Sequence, residues 1–198
     1  MDNDSFIYLD HAAATPIDKR VLVAMQPYFS DIFFNPSSPY APAVNARRDF
    51  EAAKKMLANL IGAKPGEIVM TAGATESINL AFSGITGHVV VPNIEHAAVL
   101  ACAKKHDHTI IEADERGYIS ADTVKKAIKP ETQLISVALA NNELGTIQPI
   151  SDIAAVIKSE RNRRVEAGEQ NPIYFHCDAS QGVGQLDVNV ARLGIDML

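Results

Sequence analysis

The sequence predicts an α/β protein with a mostly parallel sheet and helices on both faces. Short apolar, β-branched runs alternate with longer segments of helical spacing, and this alternation is typical of crossover units that feed a parallel sheet. The chain has 198 residues, 47% of them hydrophobic, which suffices to bury a core at the upper end of one ordinary domain. Neither an internal repeat nor a Gly/Ser-rich linker divides the sequence, so composition gives no reason for two independent domains.

The clearest helix is predicted from Val44 to Ile61, where apolar residues recur near helical spacing and Gly62 follows as a helix-ending glycine. Short apolar runs predict five strands: Glu67–Met70, Val89–Val91, Thr109–Ile111, Leu134–Ala138 and Ile173–Cys177. The segments between them predict four further helices: Glu76–Phe82, Ala97–Lys105, Ala121–Ile128 and Ile150–Arg161. Ser151 and Asp152 are predicted to cap the last of these helices.

Two segments near the end of the sequence carry separate predictions. Arg161–Pro172 is the most polar stretch and has no periodicity, so we expect a solvated loop. After Gly194 an apolar run is just beginning, Ile195–Leu198, and we therefore expect the sequence to stop within a strand.

Charge and composition exclude several classes of protein. Lys and Arg total 18 against 24 Asp and Glu, a net charge of −6, which is the wrong sign for a protein that binds nucleic acid through phosphates. No apolar stretch approaches the roughly 20 residues of a membrane span, and the segment Met1–Ser5 is polar, so we expect a soluble, cytoplasmic protein. Cys102 and Cys177 lack C-x-x-C spacing; we expect buried thiols, with no disulfide and no metal site.

Ligands of parallel sheets bind beyond the carboxyl ends of the strands. Thr71–Ser77 is a segment of small residues that enters a helix; its amides either bind a phosphate or form an ordinary helix start. His96 opens a helix directly after a strand and either carries protons, stacks on a flat ligand, or is structural. Asp178 at a strand end either holds the protonated ring nitrogen of pyridoxal phosphate or caps a helix.

A further pair, Asn141 and Asn142, also follows a predicted strand. Their amides either bond a substrate carboxylate or shape a turn. Together with these residues, the ordered motifs resemble one family, the pyridoxal-phosphate-dependent cysteine desulfurases of the class V aminotransferase group. The motifs are YLDHAAATP at 8–16, NPSS at 35–38, GATES at 73–77, EH at 95–96, NNELGTIQPI at 141–150 and HCDASQ at 176–181.

The resemblance covers practically the whole chain and implies an incomplete large domain of a fold type I enzyme, residues 16–198, after an N-terminal segment, residues 1–15. It implies that Ala74 and Thr75 bind the cofactor phosphate. It implies that His96 stacks on the pyridine ring and assists proton transfer, and that Asp178 pairs with the ring nitrogen.

Two more site residues follow from the same resemblance. Gln181 would bond the phenolic oxygen of the cofactor, and Asn142 would lie near that oxygen or the substrate carboxylate. The implied reaction removes sulfur from L-cysteine, giving L-alanine and an enzyme persulfide. The sulfur then passes to an acceptor protein for iron–sulfur cluster assembly or tRNA thiolation, and the full-length form is implied to be a homodimer.

The chain also departs from the family pattern. The family's Schiff-base lysine, persulfide cysteine and carboxylate-binding arginine belong to a later part of relatives roughly twice this length, so we expect the 198 residues alone to be inactive. Ala41 and Val44 stand where the family usually has histidine and glycine. Two alternatives stay open: a selenocysteine lyase or other class V relative, and a non-catalytic half-domain that assembles with a second chain.

Overall fold

The computed structural model describes residues 7–198, so the segment Met1–Ser5 lies outside the described residues. The chain forms two compact units that divide between Ala58 and Asn59. The domain division expected from the sequence, between residues 15 and 16, stays a prediction. Within residues 7–198, no helix combines the length and apolarity that a membrane span requires.

The first unit is helical and carries the motifs at 8–16 and 35–38. It contains α1 (Lys19–Met25), α2 (Pro27–Ser30) and most of α3 (Ala41–Ile61). Asp18 caps α1 by accepting from Arg20 N over 2.7 Å. The helix predicted from Val44 is confirmed as α3, which begins at Ala41. Gly62 follows it with φ +70, a left-handed conformation that glycine adopts at little cost.

The second unit is built on a four-stranded parallel sheet. Its strands are β1 (His88–Pro92), β2 (His108–Ile111), β3 (Thr132–Ser136) and β4 (Tyr174–His176). Their order is β2-β1-β3-β4 and every pairing is parallel. Four of the predicted strands are therefore confirmed. All five residues of β1 are buried, as expected for a strand covered on both faces.

Helices cover both faces of this sheet, as predicted. Their bounds are α4 (Ala74–Ser83), α5 (Ala97–Ala103), α6 (Ala121–Ala127), α7 (Ile150–Glu166) and α8 (Val190–Leu193). Because side chains alternate along a strand, Val89 and Val91 face one way and pack with Phe82 of α4 and Val99 of α5. Val90 faces the other way, into the apolar cluster formed with α6 and α7.

The strand predicted at Glu67–Met70 is wrong. A 3-10 turn occupies Pro65–Glu67, where Glu67 Oε2 accepts from Lys64 N over 2.8 Å. Residues 68–70 pair with no strand in the described part of the chain, and the side chain of Val69 is exposed. The apolar pattern alone could not reveal this, because a strand also needs a neighbour to accept its hydrogen bonds.

The loop predicted at Arg161–Pro172 is wrong over its first half, because α7 continues to Glu166. The continuation is stabilised by Arg164, whose buried guanidinium donates to Thr132 O over 2.8 Å and Lys129 O over 3.0 Å.

The cap predicted for the start of α7 is also wrong. Pro149 is the N-cap, and no side chain caps the helix there. The carbonyl of Pro149 already accepts from Asp152 N and Ile153 N, each over 3.1 Å. Ser151 and Asp152 therefore lie inside the first turn rather than before it.

The apolar run at 195–198 begins to pair with β4. Met197 and His176 form a parallel bridge, with Met197 N donating to Phe175 O over 3.1 Å and Cys177 N donating to Met197 O over 2.9 Å. The strand predicted for this run is therefore present only as a single bridge beside β4.

Candidate active site at the carboxyl ends of the strands

Three loops follow β1, β3 and β4, and hydrogen bonds join them. Leu139 N donates to Asp178 O over 2.8 Å, which links the loops after β3 and β4. Glu95, in the loop after β1, accepts from Ala138 N through Oε1 over 2.7 Å. The sheet therefore brings together the segments that carry the predicted site residues His96, Asn142 and Asp178, which lie far apart in the sequence.

His96 is exposed and serves as the N-cap of α5, where its Nδ1 accepts from Ala98 N over 3.1 Å. In the neutral ring the proton therefore lies on Nε2. The capping bond fixes the ring at the end of β1 and leaves the Nε2–H to donate to a ligand. Its roles in stacking and proton transfer stay predictions.

Asp178 lies two residues after β4 and is partly buried. Its Oδ1 accepts from both Ser180 N, over 3.0 Å, and Ser180 Oγ, over 2.6 Å. These bonds orient the carboxylate, so that Oδ2 is the oxygen best able to accept from a ligand N–H. The alternative that Asp178 caps the next helix is wrong, because that helix is α8 and Asn189 caps it. The bonds to Ser180 form a local turn that engages Oδ1 of the carboxylate.

The two asparagines after β3 have different surroundings. Asn141 is buried, its Oδ1 accepts from Glu143 N over 2.9 Å and Leu144 N over 2.7 Å, and its Nδ2 donates to Ile94 O over 2.7 Å. Asn142 is partly buried and takes no part in these bonds. The first asparagine therefore shapes the turn, while the second, for which we predict ligand binding, has a different environment.

Glu95 is a residue to which the sequence assigned no role. Only 6% of it is exposed, and its Oε2 is the one buried side-chain N or O atom without a hydrogen-bond partner among the described residues. Burial raises the pKa of Glu95 to about 8; the Ala138 N–H opposes the shift and the charge of Asp178 adds to it. The sequence signal was a carboxyl group directly after the apolar run of β1, next to His96.

The other buried titratable groups near these loops are uncharged at neutral pH, which makes His176 a weak base and Cys177 a poor nucleophile. Burial lowers the pKa of His176 to about 4, although the nearby Asp178 opposes this shift. Burial and the nearby carboxylates raise the pKa of the Cys177 thiol, and a thiol is a poor nucleophile compared with a thiolate. Cys102 and Cys177 are both buried, as predicted.

The helix start at α4 has the properties of an anion site. Ala74 and Thr75 are its first two residues and are exposed, and amides at these positions have no acceptor within the helix. A Cβ added to Gly73 would meet nothing within 4 Å, so a ligand can approach the backbone closely. Glu76 Oε2 accepts a hydrogen bond from Ala72 N over 2.6 Å, which holds this carboxylate at the backbone before the helix.

This helix is positioned by its apolar face. Ile78 and Phe82 of α4 lie in the same apolar cluster as Val99 of α5, the helix that His96 caps. The packing therefore holds the predicted phosphate segment and the predicted stacking residue on the same face of the sheet. Gln181 is exposed, three residues beyond Asp178; its bond to a phenolic oxygen stays a prediction.

The residues present fit pyridoxal phosphate. The backbone at Gly73 is open to an anion, and the first amides of α4 can donate to it. The helix dipole favours negative charge at this end. A pyridine nitrogen that carries a proton needs a carboxylate, and Asp178 provides one on a fixed strand end. Within residues 7–198 no group of three or more His, Cys, Asp or Glu side chains is placed to hold a metal ion.

The aminotransferase class-V family model matches residues 7–198, and the chain belongs to that family. Two curated relatives are named cysteine desulfurase IscS. The protein of Methanosarcina thermophila is 39% identical over 97% of this chain and 48% of its own length. The protein of Dictyoglomus turgidum is 38% identical over 97% of this chain and 49% of its own length.

A solved structure of SspA in complex with cysteine has the same fold, with a TM-score of 0.88 and 39% identity over 96% of this chain and 55% of that one. The parallel sheet and these relatives confirm the predicted fold class and family. The chain spans about half the length of the curated relatives it matches.

Proposed function

We propose that this chain is the cofactor-binding part of a pyridoxal-phosphate-dependent cysteine desulfurase. The observation that carries the proposal is the joining of the His96, Asn142 and Asp178 segments at three adjacent strand ends. The similarity to proteins named cysteine desulfurase and to SspA in complex with cysteine supports L-cysteine as the substrate.

Each predicted residue has a task that its surroundings suit. When bound, pyridoxal phosphate supplies an electron sink for carbanion chemistry. The amides of Ala74 and Thr75 hold its phosphate, and Asp178 keeps a proton at the ring nitrogen. His96, whose Nδ1 accepts from Ala98 N, stacks on the ring and assists proton transfer.

The remaining two side chains act at the edge of the ring. Gln181 donates to the phenolic oxygen, and Asn142 bonds the same oxygen or the substrate carboxylate. Sulfur transfer itself needs a thiolate on an accessible segment, and both cysteines of this chain are buried. The 198-residue chain alone is therefore proposed to be inactive, because the Schiff-base lysine and the persulfide cysteine are supplied elsewhere.

The test starts with the intact mass of the native polypeptide, compared with 21.4 kDa. The native protein is then loaded with pyridoxal phosphate, reduced with borohydride, and assayed for alanine and sulfide from L-cysteine. We expect a lysine-bound cofactor and both products from the native protein, and neither product from the 198-residue chain. Alanine release by the isolated chain would contradict the proposal.

The same preparation tests the alternatives. Turnover of L-selenocysteine without turnover of L-cysteine would favour a selenocysteine lyase. A native mass of 21.4 kDa, with co-purification of a second chain that brings the lysine, would favour the half-domain.

Three further parts of the proposal concern the whole protein. A homodimer is tested by sedimentation, a cytoplasmic location by fractionation, and the sulfur acceptor by following labelled sulfur to an iron–sulfur scaffold or a tRNA-thiolation protein.

A further inference from the structure

We propose that Glu95 and Asn141 form a latch that fixes His96 relative to Asn142, and that Glu95 serves in it as a neutral carboxylic acid. The latch consists of two hydrogen bonds between the same two loops. Glu95 Oε1 accepts from Ala138 N over 2.7 Å, and Asn141 Nδ2 donates to Ile94 O over 2.7 Å.

The latch residues adjoin the predicted site residues in the chain. Glu95 directly precedes His96, and Asn141 directly precedes Asn142. The ring of His96 is further fixed by Ala98 N. Because one peptide unit separates each latch residue from a site residue, a loosened latch displaces both site residues without any change in their own side chains.

The surroundings of Glu95 favour its neutral form. The Ala138 N–H is its hydrogen-bond donor, Oε2 has no partner among the described residues, and the titratable groups that face it are Asp178 and Cys177. An ionised Glu95 would be buried beside a second carboxylate, which disfavours the charged form. The raised pKa, about 8, agrees with this geometry.

Neutrality makes a sharp prediction about substitutions. Glu95→Gln keeps an oxygen for Ala138 N and places an amide NH₂ where the acid has its hydroxyl, so it should preserve the latch. Glu95→Asp keeps a carboxyl but is one methylene shorter and should break it. Asn141→Asp keeps the oxygen that caps Glu143 N and Leu144 N but removes the donor to Ile94 O.

Two matched controls separate the latch from charge and from general stability. Glu143→Gln removes an exposed carboxyl from the same turn. Val124→Ala removes volume from the fully buried position on α6, in the cluster on the opposite face of the sheet. The second control should destabilise the protein without moving His96.

The experiment uses the native protein and measures amide hydrogen exchange at Ala138, the ring resonance of His96, and the Kd for pyridoxal phosphate. We expect Glu95→Asp and Asn141→Asp to speed exchange at Ala138 about tenfold or more, to shift the His96 resonance, and to weaken cofactor binding. Glu95→Gln and Glu143→Gln should match the unsubstituted protein in all three measurements.

Two outcomes would overturn the latch. One is that Glu95→Gln shows the same defects as Glu95→Asp, because a neutral side chain of the same length would then fail to preserve the latch. The other is that Val124→Ala shifts the His96 resonance and the cofactor Kd as much as Glu95→Asp does. The cofactor measurement rests on the proposed function; if the unsubstituted protein fails to bind pyridoxal phosphate, that function fails, while exchange and the His96 resonance still decide the latch.

Discussion

Two buried ionisable side chains lie at opposite ends of the same sheet, and their surroundings differ. Arg164, at the amino ends of β3 and β4, donates to the carbonyls of Thr132 and Lys129 and to the carboxylate of Glu160. Glu95, at the carboxyl ends, has one donor for its first oxygen and no described partner for its second.

The difference shows that the two ends of one sheet serve different purposes, one for stability and the other for ligand binding. A buried cation with several acceptors recovers much of its lost hydration and stabilises the elements that it joins. A half-satisfied buried carboxyl costs stability, and such perturbed groups are common at functional sites. The amino ends of these strands therefore hold the fold together, and the carboxyl ends hold the groups that would meet a ligand.

The largest effect that we expect is the pH dependence of the free energy of unfolding, which tests the environment of Glu95. The pKa of Glu95 is raised to about 8 in the folded protein from the ordinary value of 4.5 for a glutamate. Between these values the folded state binds a proton that the unfolded state lacks, so the free energy of unfolding falls as pH rises.

The fall should total roughly 4 kcal/mol between about pH 5 and pH 8 and level off above that range. Denaturant unfolding of the unsubstituted protein minus that of Glu95→Gln isolates this contribution, because the low pKa of His176 affects both proteins. If this difference in the free energy of unfolding stays constant over the range, Glu95 is ionised in the folded protein. The contrast drawn between Glu95 and Arg164 would then be wrong.

The next largest effect tests the other end of the sheet. Arg164→Met should lower the free energy of unfolding by about 3–4 kcal/mol, because it leaves the buried carbonyls of Thr132 and Lys129 without their donor and removes one donor from Glu160. Arg163→Met is the matched control, since Arg163 also bonds Glu160 but half of its side chain is exposed. It should cost at most about 1 kcal/mol. Urea denaturation of both variants decides; equal losses would contradict the special role of Arg164.

Arg164 also shows where sequence reasoning reached its limit. The starts of α5, α6 and α7 and the positions of β1 to β4 follow from apolar periodicity, because these elements bury one stripe or run of apolar side chains. The end of α7 could not be predicted in this way. Its polar residues include one arginine whose acceptors, such as Thr132 O, are brought to it only by the folded sheet.

The site was predictable to a similar extent. Motif order pointed to Asp178 and His96, and the topology places their segments together. The sequence could not separate the work of Asn141 from that of Asn142, since both are turn residues before a glycine. It also could not reveal the role of Glu95, because the burial of one carboxyl group depends on the loops after β3 and β4.

An intermediate effect is expected for Asp178→Asn. This change keeps an oxygen for Ser180 N but removes the charge proposed to face the ring nitrogen, so the Kd for pyridoxal phosphate should rise about 10- to 100-fold. Asp187→Asn, at an exposed ion pair with Arg192, should leave the Kd unchanged.

Asp178→Asn also tests the environment of Glu95. The charge of Asp178 contributes to the raised pKa of Glu95, so the stability of Asp178→Asn should fall by a smaller total as pH rises and level off at a lower pH. An unchanged pH profile would show that burial alone sets the state of Glu95.

The smallest effect separates the capping role of His96 from its proposed chemistry. His96→Ala removes the acceptor for Ala98 N and should cost about 0.5–1 kcal/mol in thermal unfolding, the usual loss at a weak N-cap. His96→Asn should keep the cap, because asparagine accepts from the same amide, and so should unfold like the unsubstituted protein. If the ring also stacks on the cofactor and moves protons, both variants lose alanine formation by the native enzyme. Activity in His96→Asn but not in His96→Ala would instead mean that His96, like Arg164, serves only to hold the fold.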